Sequence, residues 1–166
     1  MVGKLLVVVV VAIAALVAHE NGRTIEEAHV REYYRSQLEA LRAFDEEAVC
    51  AGIADDYNLE VVDRSEGQPG KATLDGHASC ELSRKMLRFM EQMSGQTGGL
   101  VTIDISYDIR SIVIAADGRS ATVEATSTAK LGDMLIGRTR GREQLSRSFW
   151  RVRSHGGEAQ VWSYGR

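Results

Sequence analysis

The chain is short of most residues that mark specialised classes. It has one proline (Pro69), two cysteines, four histidines, and an aromatic fraction of only 6%. A single proline and an ordinary charged fraction exclude a disordered or low-complexity protein. No solenoid-length repeat is present. Charge of one sign is also missing: 20 basic residues face 23 acidic ones, a net charge of −3, so nucleic-acid binding has no support. No His-x-His, Gly-x-Ser-x-Gly or phosphate-loop pattern occurs, and the sequence implies no metal and no cofactor. The apolar run at the start, residues 5–18, falls short of the ~20 residues needed to span a bilayer as a helix.

That run is nevertheless the most telling stretch. Lys4 precedes it, Ala18 closes it, and polar His19-Glu20-Asn21-Gly22 follows, the layout of a secretory signal. Residues 1–18 are therefore expected to be a signal peptide, with cleavage near His19, or an anchor if they are left uncleaved. Export would place the protein in the periplasm or outside the cell. A membrane partner is expected only if the leader is retained. About 148 residues remain, enough for one domain with a proper core, residues 24–166.

Export gives the cysteines a meaning. Cys50 and Cys80 are an even pair in an oxidising compartment, where a bridge is the default and two separate thiols the alternative. Closing such a loop stabilises the fold by about 3–4 kcal/mol. His77 lies close enough to Cys80 for a nucleophilic couple, which a disulfide would preclude.

Three helices are predicted. Thr24 with Glu27 forms a capping box, and Val30, Tyr34, Leu38, Leu41 and Phe44 recur at helical spacing. Asp45 caps a shorter helix through Val49 and Ile53 that stops at Asp55-Asp56. Residues 57–62 have the composition of a short strand, and residues 64–71, with Gly67, Pro69 and Gly70, read as a loop. Asp75 caps a third helix whose apolar face is Leu82, Met86, Phe89 and Met93.

From Leu100 the period changes to two. Val101, Ile103, Ile105, Tyr107 and Ile109 alternate with polar residues, and then Ile112 and Ile114 fall on the opposite phase. The slip demands a bulge or bend near Arg110-Ser111. Asp117-Gly118 is a hairpin turn. The returning strand places Ala121, Val123, Ala125, Ser127, Ala129 and Leu131 on one face, expected to be the interior. Residues 135–153 and 158–164 supply two more strands, joined at His155-Gly156-Gly157.

This order of elements resembles the nuclear transport factor 2-like superfamily over residues 26–164. The local carriers are Phe44-Asp45-Glu46-Glu47-Ala48-Val49, similar to the family's turn into its second helix, and Ile53-Ala54-Asp55-Asp56-Tyr57, similar to its helix exit. The resemblance implies an α+β cone: three N-terminal helices packed in the concave face of a bent four-stranded antiparallel sheet. The superfamily includes ketosteroid isomerases, scytalone dehydratase-like and polyketide-cyclase-like enzymes, and members with no chemistry; fold alone does not choose among them. At the place of the isomerases' general base this chain has Val61, with Asp63 two residues on. At the place of their tyrosine it has Gln37.

The candidate residues follow. Tyr33, Tyr34, Asp56, Tyr57, Met86 and Phe89 are expected to line a modest, mainly apolar pocket. Asp55 and Asp56 could pair as carboxylates, although neighbouring Asp residues usually serve a turn. Arg138, Arg140 and Arg142 share one strand face, either laddered against Glu124, Thr126 and Thr128 or open to anions. Trp150 and Trp162 read as sheet packing or a dimer contact. The expected function is that of a non-enzymatic exported domain binding a small apolar ligand or a protein partner, with a homodimer through the sheet as one arrangement. The alternative is a periplasmic acid–base enzyme (lyase, isomerase or hydrolase) working in the cone.

Overall fold

The computed structural model describes residues 2–66, 69–98 and 102–164, and for residues 2–8 and 16 the backbone only. Helix α1 (Val2–Asn21) covers the apolar start of the chain; α2 (Glu27–Arg42), α3 (Glu46–Ala51) and α4 (Gly76–Gln96) follow it. The strands are β1 (Ile53–Asp63), β2 (Gly70–Asp75), β3 (Ile103–Ile114), β4 (Ser120–Leu131), β5 (Met134–Ser148) and β6 (Arg151–Ser163). They form one sheet in the order β2-β1-β6-β5-β4-β3, with β1 parallel to β6 and every other pair antiparallel. The sheet thus has six strands and is mixed, not four and antiparallel. Among the described residues no helix is long and apolar enough to cross a membrane.

The sequence signals that hold are those set by local chemistry. Asp45 and Asp75 accept hydrogen bonds from the amides of Ala48 (2.9 Å) and Ala78 (2.8 Å), satisfying free donors in the first turns of α3 and α4. The β3–β4 register shifts between Ile109 and Ser111, where the phase of the apolar residues slips. Gly118, at φ +66°, turns the chain between those strands. Cys50 and Cys80 are bridged, with Cα atoms 5.2 Å apart, tying α3 to the first turns of α4.

Several expectations are corrected. Helix α2 starts at Glu27 because the Glu26 amide donates to His29 Nδ1 at 3.1 Å, while the Thr24 hydroxyl turns back to Glu20 O. Helix α3 stops at Ala51, so Asp55 and Asp56 lie within β1 rather than at a helix exit. Strand β2 occupies what reads as loop and cap; Gly67 lies outside the described residues, as do Leu100 and Val101. The β5–β6 connection is the two-residue turn Phe149-Trp150, and His155-Gly156-Gly157 sits inside β6. There Gly156 and Gly157 take φ of +83° and +145°, and a Cβ on either would lie within 2.2 Å of a neighbouring strand's carbonyl oxygen.

Helix α4 presents a different face from the one its apolar residues suggest. Leu82, Met86 and Phe89 are exposed, whereas Ser79, Leu87 and Met90 are buried. The inward stripe mixes serine with leucine and methionine, so hydrophobicity alone points a third of a turn away. Two clusters make the core. Ile25, Val30, Tyr34, Ala121, Val123 and Leu145 join α2 to the middle of the sheet, and Ala40, Leu41, Val49 and Leu87 join the three helices.

Candidate functional site

Between α2, the start of α4 and the concave sheet face lie two hollows of about 270 and 370 Å³. They share Tyr33, Gln37, Tyr57, Tyr107, Ser127, Thr139 and Glu143 in their walls. Strand alternation explains the floor. On β4, Ala125, Ser127 and Ala129 face in; on β5, Gly137, Thr139, Gly141 and Glu143 do. Small residues there leave the space that larger ones would fill.

Glu143 is the centre of this space. Its carboxylate accepts the hydroxyl of Tyr34, and Ser154, at the base of β6, also donates to it. Burial pushes the Glu143 carboxyl above the usual carboxylate range, and these two donors offset part of the rise. Four tyrosines surround it. Burial and then the Glu143 charge raise Tyr34, whose bond to the carboxylate holds its proton further. Burial and the same charge raise Tyr33 well above its ordinary value, opposed by a hydrogen bond from Ser154. Tyr107 is pushed up to about 12 by burial and Glu143. Tyr57 rises for the same reasons, opposed by Ser79. The rings of Tyr33 and Tyr107 each meet Tyr34 edge-on, at 5.5 and 5.4 Å between centroids.

The arrangement holds one proton acceptor among several hydroxyl donors, with Glu143, Tyr33, Tyr57 and Tyr107 half-buried around the hollow. Burial favours the protonated form of the Glu143 carboxyl, and the hydroxyls around it give that proton neighbours with which to exchange. The walls of the hollow are apolar in their larger part, with a polar group, Glu143, at the centre. Glu143 escaped the sequence reading. Its signal was an acid on the inward phase of β5, two residues before buried Leu145.

The residues read from sequence are spread over several places. Tyr33, Tyr34 and Tyr57 line the hollows, and Met86 reaches the larger one; Phe89 is exposed on α4 outside both. Gln37 lines the cavity with its amide near Ala48 O (3.5 Å). Asp63 is tied to the Ser65 amide at 2.8 Å. Asp56 points to the outer face of the sheet, where it accepts from or pairs with His155 Nδ1 at 2.6 Å, and His155 Nε2 meets Ser146 Oγ at 2.7 Å. This Ser–His–Asp relay has triad order, but its aspartate is 74% exposed and none of its members lines a described hollow. It braces three adjacent strands. Arg138, Arg140 and Arg142 lie opposite Thr128, Thr126 and Glu124 in register, and Arg142 reaches Glu124 at 3.3 Å.

No family model and no curated protein matches the sequence. Solved structures do match in shape. One is a nuclear transport factor 2-like protein of unknown function from Pseudomonas putida KT2440, 15% identical, covering 84% of this chain and 87% of that one, with a TM-score of 0.51. A second such protein, from Shewanella oneidensis MR-1, is 13% identical over 80% of this chain and 97% of that one, TM-score 0.51. A ketosteroid isomerase-like protein from Erwinia carotovora atroseptica is 16% identical over 86% and 100%, TM-score 0.50. The fold is the nuclear transport factor 2-like cone. At such identities the likeness establishes architecture alone. The nuclear transport factor 2-like cone nonetheless locates the hollow: it is the space the helices and curved sheet enclose, and Glu143 stands on its floor.

Proposed function

We propose that the cone takes up a small neutral molecule and exchanges a proton with it through Glu143, as an acid–base enzyme of the isomerase, lyase or hydrolase type. The observation that carries this reading is the buried carboxyl bonded to Tyr34 inside a ring of tyrosines. A purely apolar ligand would displace water from these polar groups without replacing its hydrogen bonds, at a cost of about 1–3 kcal/mol for each group so left unsatisfied. A ligand bearing a carbonyl or hydroxyl would satisfy them. Glu143 then moves the proton, and a neighbouring phenol (Tyr33, Tyr57 or Tyr107) donates to the oxygen on which charge develops. The chemistry belongs outside the cytoplasm, a placement supported by the Cys50–Cys80 bridge and the leader-like start.

A panel of cyclic ketones and β-hydroxy ketones, incubated with the protein in heavy water and followed by mass spectrometry, tests this directly. At least one compound should take up deuterium or lose water, with Glu143→Gln slower by roughly 10²–10⁴-fold. Saturable binding with no turnover, equal in wild type and E143Q, would return the protein to a pure binding role.

A further inference from the structure

Helix α1 is apolar all round, yet none of its described side chains is covered. Val9, Val10, Val11, Ile13 and Val17 are 50–62% exposed, and the consecutive apolar residues Val9, Val10, Val11 and Ala12, about 100° apart, go round the axis. A helix that is apolar on every face is normally buried, in protein or in lipid. The folded domain holds only its far end. Arg147 donates to Asn21 O (2.9 Å) and Thr24 O (2.8 Å), the Trp150 amide donates to Gly22 O (3.1 Å), and Arg119 pairs with Glu20 (3.2 Å). These bonds fix the helix against the tip of the β5–β6 hairpin.

That tip is unusual in its chemistry. Ser148 pairs with Arg151, so Phe149 and Trp150 alone make the turn, at φ of +48° and +68°. Two residues at positive φ make a turn of the primed kind, which favours Asn-Gly and strains bulky side chains. Here two aromatics take both positions and are 80% and 60% exposed. Phe149 meets the His19 ring edge-on at 6.4 Å and Trp150 lies against Gly22, yet both keep most of their surface open. Trp150 flanks an apolar groove formed with Val10, Ile13, Ala14 and Val17 of α1, and the Arg147 guanidinium lies 5.0 Å from its ring centre. Arg23 and Arg151 stand beside the turn in sequence or space, giving the aromatic tip a cationic surround. The amphipathic ring of Trp150, beside apolar Phe149, an apolar helix end and several arginines, matches the level of lipid headgroups.

We infer that α1 is retained and buried in a lipid bilayer, with the Phe149-Trp150 turn seated at the bilayer surface beside it. Among the described residues no helix is long and apolar enough to cross a membrane, and the tip extends the apolar surface where α1 leaves the lipid. Two contacts rather than one would hold the cone in a set orientation above the membrane.

The test uses the full chain with Trp162→Phe, which leaves Trp150 as the sole tryptophan. In phosphatidylcholine–phosphatidylglycerol vesicles, lipid brominated near the headgroup should quench its emission roughly twofold or more. F149N/W150G, whose tryptophan is Trp162 on the sheet, should show no such quenching. Its Asn-Gly turn should relieve strain and raise the thermal midpoint by about 2–4 °C. If W162F does not fold, wild type against F149N/W150G gives the same readout. Intact mass of the protein from membranes should include residues 2–18. The inference falls if Trp150 is not quenched, if the mature chain begins near His19, or if Trp150 is already shielded without lipid in a dimer.

Discussion

Tyr34, on the first helix of the domain, donates its hydroxyl to Glu143, 109 residues further along the chain. One bond thus joins the helical layer to the sheet and neutralises part of the cost of a buried acid. The Tyr34 ring also belongs to the core cluster with Val30, Val123 and Leu145, so packing fixes where its hydroxyl points.

Removing that donor leaves the acid uncompensated. Tyr34→Phe keeps the ring and deletes the bond, so the domain should lose about 1–3 kcal/mol, measured by urea unfolding at neutral pH. An unchanged midpoint would show that water replaces the phenol.

Glu143 also sets a pH dependence. Its carboxyl titrates higher in the folded domain than in the unfolded chain, so the folded state holds the proton more tightly. The associated stability is complete below the unfolded carboxyl range and is lost as pH rises through the folded value. Wild type should therefore weaken, relative to Glu143→Gln, from mildly acidic toward alkaline pH. The glutamine variant keeps an acceptor for Tyr34 without a charge and should be more stable by about 1–2 kcal/mol at alkaline pH. Parallel stability–pH curves for the two proteins would contradict this.

The bridge between Cys50 and Cys80 closes a 30-residue separation that spans α3, β1, β2 and the start of α4. Cys50→Ser, compared with oxidised wild type, should cost about 3–4 kcal/mol. Adding reductant should bring wild type down to the variant.

The face of α4 can be read out by truncation. Leu87 is fully buried, so Leu87→Ala should cost about 2–5 kcal/mol. Leu82 is 57% exposed, so Leu82→Ala should change stability by no more than about 0.5 kcal/mol. The reverse order would restore the face that the apolar spacing suggests.

Legibility divided along physical lines. The bend at Ile109–Ser111 could be read because a phase slip in a half-buried strand has one remedy, and the arginine ladder because strand residues two apart share a face. The cone was legible from element order. Strand β2 was not, since its six residues follow Pro69 and expose nearly every side chain. Nor was the Phe149-Trp150 turn, where strained aromatics stand in place of turn residues while two glycines nearby serve a bulge. The site suffered most. Its carboxyl lies in the most arginine-rich strand, where an acid looks like a charge partner. Only the inward phase shared with Leu145 distinguishes it.

The most direct test of the acid–base reading is a carbon-13 NMR titration of the Glu143 side-chain carboxyl, assigned by comparison with E143Q. Its midpoint should lie above the ordinary carboxylate value of 4.5 and move higher still in Tyr34→Phe, which removes a donor to the charged form. A midpoint at or below 4.5, unmoved by Tyr34→Phe, would mean a solvated carboxylate and no acid–base centre in the cone.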